Sequence, residues 1–500
     1  MDHRRQVLTR SPSPQPTHSH TKKNDCRLLD HFQHLWQQGR PCFSQSRVAD
    51  LAQSLLFGSL LCLGRHTVTG LLTTAGLQQS DWSAAYRLLA RQRLPCDALF
   101  DVVRRSIASQ LLPEAPFCAA LDDTLVRRGG RATPGVGWRR DPLGPPFQTN
   151  LVRAQRFLQL SAALPGPDAR MVPIAFRHTP SVARPSRRAS TQALSRYRTQ
   201  TRHSGLSAVA AGQIQNLRAQ LDEDPDTQSR SLCITFDGGY TNSTVLRKLP
   251  DRTTCIGRIR KDARLYFLPA AEPHARGRHL SYGAPAPTPE QLRTDETQAW
   301  QQLPVTHAGV DHTVRFKRLG PLLWRTAGAT QKLQIIVIAP LKYRPRKGSK
   351  LIYRDPAYLV CTDPDLAPEH VIQTYLKRWD IEVNFRDEKT LLGVGQAQVR
   401  NPCSIEAAPT LSVLAYSFLL TAAHRAYGAN PTGLLEQPKW AKKSPHRLST
   451  QVLLHQFRAE VWALGLNIRN SSPFAAPPTG TTSGQKWRST VASAVIYANG

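Results

Sequence analysis

Residues 375–389 read Tyr375-Leu376-Lys377-Arg378-Trp379-Asp380-Ile381-Glu382-Val383-Asn384-Phe385-Arg386-Asp387-Glu388-Lys389. The periodicity around this stretch predicts one long helix over about 368–392. At ~100° per residue, Tyr375, Arg378, Glu382 and Lys389 fall within a stripe about 60° wide. Ile372, Leu376, Trp379 and Val383 form an adjoining apolar stripe suited to burial against a sheet. A helix patterned in this way packs by one stripe and offers phenol, guanidinium, carboxylate and ammonium along the next.

Upstream, two apolar runs end in acids. Residues 117–121 lead into Asp122-Asp123-Thr124, and residues 231–236 lead into Asp237-Gly238-Gly239-Tyr240. The pattern predicts strands near 117–121, 155–163 and 170–176, then a basic helix over 191–221. A strand at 231–236, a short helix at 241–249 and a strand at 254–259 follow. Strands resume at 334–339 and 357–361, and an apolar helix spans 405–427. This order predicts an α/β layer with a mixed sheet, whose strand ends are where sites collect. Two strand-end aspartates and one helix glutamate can hold two divalent cations by hard oxygen ligands. Two such ions ~3.5–4 Å apart stabilise both the attacking and the leaving oxygen of a phosphoryl transfer.

Charge points the same way. The 500 residues carry 66 Lys and Arg against 35 Asp and Glu, a formal net charge of +31. Such an excess repels itself in a compact chain and calls for a polyanionic partner, nucleic acid first. Three basic clusters are placed to track a DNA backbone without reading its sequence. They are Arg184, Arg187 and Arg188; Arg196, Arg198 and Arg202; and Arg258, Arg260 and Lys261. The polar, basic residues 1–25 lack the apolar core of a secretory signal. The apolar runs 51–63 and 411–423 fall short of the ~20 residues of a membrane span and read as buried helices. Nine dispersed cysteines without a C-x-x-C pair suggest neither a disulfide framework nor a zinc site, and a reducing cytoplasm fits them. No G-x-x-x-x-G-K-[ST] loop implies nucleotide hydrolysis.

Residues 375–389 reproduce Y-x2-R-x3-E-x6-K, and the chain thereby resembles the bacterial insertion-sequence DDE transposases that carry this signature. Leu121-Asp122-Asp123-Thr124 is similar to that group's first-aspartate motif and residues 235–240 to its second. The order is right, and the resemblance spans roughly 30–425. It implies an RNase H-like mixed sheet with flanking helices, a β-rich insertion before the glutamate helix and an N-terminal helical domain. It also implies catalysis and metal binding by Asp123, Asp237 and Glu382, with two Mg²⁺ ions for which Mn²⁺ can substitute. Tyr375, Arg378 and Lys389 match positions that grip DNA phosphates; Arg258, Arg260 and Lys261 are expected as further DNA contacts on their charge alone. Asp122 is the alternative to Asp123. Asp123 is preferred because the family aspartate directly precedes a Thr, and strand alternation points the two side chains apart. In some relatives a Trp of the insertion stacks on a flipped base. Trp300 and Trp324 lie in the corresponding segment, outside any matching motif.

The function this implies is a DNA transposase that cleaves element ends and transfers the 3′-OH to target DNA. The alternatives are a structure-specific nuclease of the same fold and an inactive, domesticated DNA-binding protein. The implied partners are terminal inverted repeats, target DNA and a second copy of the chain, in the cytoplasm at the nucleoid and away from membranes. The expected organisation is a disordered basic tail (1–30), a helical DNA-binding domain (31–112) and a catalytic core in two parts (113–262 and 333–427). A β-rich insertion (263–332) separates those parts, and 428–500 holds a linker, one helix and a flexible tail.

Overall fold

A computed structural model describes residues 27–466 apart from 131–132, 142–143, 145–147, 167–169, 270–279, 308–309, 345–347 and 430–446. Most of the expected N-terminal tail, 1–26, and the C-terminal stretch 467–500 lie outside the described residues. The first helix, α1 (Arg27–Gly39), begins inside the stretch expected to be tail. Its Leu28, Leu29, Phe32, Leu35 and Trp36 recur at helical spacing and are all buried, which fixes the helix from its first turn. Four more helices follow: α2 (Ser46–Leu61), α3 (Val68–Thr74), α4 (Ser83–Ala90) and α5 (Cys96–Ala108). Helix α3 is too short to show a periodic pattern. Its start is set by Thr67, whose hydroxyl accepts the Gly70 N–H at 3.0 Å.

Strand β1 (Phe117–Arg127) pairs antiparallel with β3 (Leu151–Ala163) along almost its whole length. It therefore runs beyond the expected end at 121 and carries Asp122 and Asp123 within the strand. The short β2 (Gly137–Arg140) and β4 (Met171–His178) flank β3. The expected single helix over 191–221 is two, α6 (Thr191–Ser204) and α7 (Leu206–Glu223), separated by Gly205 in an extended conformation. Next come β5 (Leu232–Phe236), α8 (Ser243–Leu246) and β6 (Thr253–Arg258).

The expected insertion contributes β7 (Leu265–Tyr266), α9 (Pro289–Thr294), β8 (Gln301–His307), β9 (Val310–Trp324) and the start of β10 (Gly328–Ile338). A small hairpin of β11 (Lys342–Tyr343) and β12 (Ile352–Tyr353) precedes β13 (Ala357–Cys361). Helices α10 (Pro368–Lys377), α11 (Asp380–Thr390), α12 (Ser404–Tyr427) and α13 (Thr450–Leu466) complete the described chain.

Among the described residues, eleven strands form one mixed sheet in the order β2-β3-β1-β5-β6-β13-β10-β9-β7, with β4 beside β3 and β8 beside β9. β1, β5 and β6 are parallel neighbours and the other pairs are antiparallel. This is an RNase H-like α/β arrangement with flanking helices and an N-terminal helical region. Of the strands after β6, all but the β11–β12 hairpin extend the same sheet.

Helix α12 holds the helical and sheet regions together. By length and composition it could cross a membrane, but 89% of its most apolar window is buried within the protein. Phe32 of α1 meets Phe57 of α2 at 5.3 Å, Phe418 of α12 at 5.8 Å and Phe457 of α13 at 5.0 Å between ring centroids. Two helices from the start of the described chain and two from its end thus share one aromatic knot. Phe32→Ala is expected to cost about 3–5 kcal/mol, read as a lowered midpoint in urea denaturation; an unchanged midpoint would show that the knot carries little stability.

Candidate active site

Parallel pairing of β1 with β5 sets the site. Leu121 is in register with Phe236, so the next residues along the two strands are Asp122 and Asp237. Side chains alternate along β1. Ala120, Asp122 and Thr124 face α10 and α11. Ala120 packs with Ile381 and Phe385, Asp122 Oδ2 accepts from Arg378 Nη1 at 3.0 Å, and Thr124 Oγ1 accepts from Lys389 Nζ at 2.6 Å. Arg378 Nη2 also lies 3.5 Å from Glu382 Oε1. The carboxylate of Asp237 accepts the Gly239 N–H at 2.8 Å, which fixes the turn after β5.

The helix expected over 368–392 is broken in the middle of the motif. The N–H groups of Arg378, Trp379, Ile381 and Glu382 each bond three residues back, a tightened turn that joins α10 to α11. A uniform helical wheel does not carry across it. Ile372 stays buried, but Trp379, expected in the apolar stripe, is 54% exposed. The polar stripe faces the strand instead: Arg378 and Lys389 reach Asp122 and Thr124, and Arg378 Cζ stands 5.6 Å over the Tyr375 ring.

Asp123 points the other way. Its Oδ1 accepts from Tyr240 OH at 2.7 Å, and its Oδ2 lies 3.2 Å from Arg156 Nε. The acid nearest Arg378 is therefore Asp122, while Asp123, the residue the sequence reading preferred, faces Tyr240 and Arg156. Pairing of Leu121 with Phe236 places Asp122, not its neighbour, beside Asp237. Burial raises the Asp122 carboxyl to about 7, against the pull of Arg378 and with the added repulsion of Asp237. Burial also raises the Tyr240 phenol, with Asp123 adding to it. Tyr375 is raised by burial, against the charges of Arg378 and Arg258.

The third basic cluster divides. Arg258, at the end of β6, acts on Tyr375. Arg260 is paired with Asp262 through two hydrogen bonds of 2.9 Å, and the charge of Lys261 falls on Glu290 and Asp262. Trp300 and Trp324 pack against the core, and Trp300 lies under Lys317 Nζ at 4.7 Å. Beside the site a cleft of about 1010 Å³ opens between β8–β9, the β11–β12 hairpin and α10. Arg315, Lys342, Tyr353, Tyr375, Arg378 and Trp379 line it.

A family model of DDE superfamily endonucleases matches residues 40–316, more than half of the chain. The chain belongs to this family. The match includes Asp122, Asp123 and Asp237 and ends before Glu382. No curated protein matches the chain. A DDE endonuclease is an enzyme of the nuclease and transposase type, with DNA as its substrate class and divalent metal ions as its cofactors. The donor chemistry here fits such ions: hard carboxylate oxygens on one face, with the charge of Asp122 resisted by burial and by Asp237. Among the described residues no three acids stand close enough to hold one ion. The Arg378 guanidinium lies between Asp122 and Glu382.

Sequence reasoning gave no role to Tyr240, Arg156 or Glu388. The Asp237-Gly-Gly-Tyr240 turn could have flagged Tyr240; nothing in the sequence marks Arg156. Glu388 on α11 is fully buried beside Gln159, Lys389 and Asp387, and burial raises its carboxyl from 4.5 to about 8. Below pH 4.5 both folded and unfolded chains hold the proton. As pH rises toward about 8, the unfolded chain releases a proton that the folded chain keeps, so the native state loses stability. Glu388→Gln has no proton to release. It is expected to melt above wild type by a margin that widens across this range in thermal denaturation. A margin independent of pH would show that Glu388 does not titrate this way.

Proposed function

We propose that the chain is a DNA transposase that cleaves the ends of a mobile element and joins the freed 3′-OH to target DNA. The observation that carries this reading is the juxtaposition of Asp122 on β1 and Asp237 just past the end of its parallel neighbour β5, beneath the Arg378–Glu382 turn. In cleavage, an oxygen from water bonds to phosphorus as the bond from phosphorus to the 3′ oxygen breaks, and a proton passes to that leaving oxygen. In joining, the 3′-OH takes the place of water at a target phosphodiester.

Asp122, Asp237 and Glu382 are the proposed holders of two Mg²⁺ ions, or Mn²⁺ in their place, which would have to draw the three carboxylates together and displace Arg378 from between Asp122 and Glu382. When bound, such ions neutralise charge on the attacking and leaving oxygens. Arg378, standing over Tyr375, offers a planar fork to a phosphate, and Lys389 and Arg258 offer point and surface charge beside it. The basic, aromatic cleft next to the site suits an adjoining stretch of DNA, and the helices of 31–112 offer a further DNA contact. Two element ends require two copies of the chain.

With end DNA and Mg²⁺, Asp122→Asn, Asp237→Asn and Glu382→Gln are expected to lose more activity than the ~10–100-fold that loss of an outer partner costs. All three are expected still to bind DNA, and Asp123→Asn is expected to lose less. Full nicking by Asp122→Asn with none by Asp123→Asn would return the metal role to Asp123. A pre-nicked end mixed with target DNA is expected to yield joined product. Cutting without joining would reduce the protein to a nuclease, and absence of cutting by wild type would overturn the reading.

A further inference from the structure

The second aspartate of the Asp122-Asp123 pair faces a different chemical setting from the first. On its side of β1, a cavity of about 450 Å³ opens between β2, Arg156 of β3, residues 179–183 and helix α6. Its walls carry the Arg139 and Arg156 guanidiniums and the hydroxyls of Thr179, Ser181, Tyr197 and Thr201. Arg139 Nη2 donates to Ser181 Oγ at 2.6 Å. The buried Nε of Arg139 has no hydrogen-bond partner among the described residues. Arg156 Nε lies 3.2 Å from Asp123 Oδ2 but lacks the alignment of a hydrogen bond. Arg139 is disfavoured as a cation by burial first and by Arg156 second. Two guanidiniums are thus gathered around one carboxylate, with N–H donors left over. Half-buried donors without acceptors cost free energy, and an anion with several oxygens removes that cost.

The surroundings extend the positive charge. Helix α6 buries no side chain and carries Arg196, Arg198, Arg202 and His203 with no acid. Between residues 142 and 221 the sequence has a single acid, Asp168. On β2, Trp138 is 66% exposed, and the Arg153 guanidinium stands 6.0 Å over its ring. An exposed indole beside arginines is a combination that holds a nucleic-acid strand, with the ring against a base and the cations on its phosphates.

We infer that this cavity is a second DNA site, on the face of β1 opposite Asp122. One phosphodiester lies between Arg139 and Arg156, and its neighbours run along α6. The site deepens the proposed DNA-cutting function and rests on it for the choice of DNA as the anion. Asp123 is then a positioning residue. It orients Arg156 and Tyr240 rather than touching the reacting phosphate. The two adjacent aspartates serve two faces of one strand.

The test uses the full chain, a short fluorescein-labelled DNA duplex and EDTA, so that nothing is cut. Arg139→Gln/Arg156→Gln is expected to weaken binding about tenfold or more and to flatten the dependence of log K on log salt by ~0.9 for each phosphate no longer neutralised. Arg198→Ala/Arg202→Ala, on a helix that buries no side chain, is expected to flatten it in the same way without touching the fold. In Mg²⁺, Asp123→Asn is expected to raise KM with kcat largely kept, and Asp123→Glu to restore KM in part. A merely structural role would lower the melting temperature and leave that split absent.

Wild-type affinity and salt slope in both double variants, with normal circular dichroism, would overturn the inference. So would inorganic phosphate competing beyond an equal ionic strength of NaCl while the variants still bind duplex normally, because the cavity would then be a site for free phosphate. A wild type that binds DNA through these arginines yet never cuts would sink the proposed function and leave this site standing.

Discussion

The contact on which the site depends is the Arg378 guanidinium held between Asp122 and Glu382. Desolvating carboxylates on adjacent strands is costly unless a counter-charge stands beside them, and here that charge comes from the tightened turn between α10 and α11. The turn has a second effect. By bonding three residues back, the backbone rotates Trp379 out to the cleft while Ile381 and Phe385 still pack on Ala120. A straight helix would place Trp379 in the apolar stripe and remove the largest aromatic surface from the cleft.

The glutamate helix is held from behind as well. Arg447 clamps Asp380 at the start of α11 with hydrogen bonds of 2.7 and 2.8 Å. Thr450, at the start of α13, donates to Asp387 at 2.5 Å, and Tyr416 of α12 joins the same group. These contacts reach α11 from residues well beyond the motif. They connect its position to the aromatic knot of Phe32, Phe57, Phe418 and Phe457, so packing among the distant helices bears on the placement of Glu382 and Lys389.

β1 separates two electrostatic settings. On one face Asp122 meets Arg378, with Asp237 adding its repulsion and Lys389 held at Thr124. On the other, Asp123 gathers Arg156 and Tyr240, and Arg156 in turn lines a cavity rich in arginine and hydroxyl groups. The net charge of +31 is therefore not spread evenly. Part is consumed in pairs such as Arg260–Asp262, and part collects along α6 and in the cleft beside α10, where a backbone of phosphates is the natural counter-charge.

The sequence by itself determined the α/β character, the principal strands and the resemblance to DDE enzymes, because hydrophobic periodicity and short motifs are local properties. Residues 357–361 were legible as a strand and 405–427 as a buried helix for this reason. It also singled out Asp237, Glu382, Arg378 and Lys389 as partners of one site. It preferred Asp123 over Asp122 from the following Thr and from strand alternation, but which of the two stands beside Asp237 belongs to the register of β1 against β5, a pairing across more than a hundred residues. Nor did it disclose the turn at Arg378, the pairing of Arg260 with Asp262 or the gathering of Arg139 and Arg156 around Asp123. Each arises only when strands and helices distant in the chain are brought side by side, where burial and neighbouring charge, rather than local spacing, fix what a side chain touches.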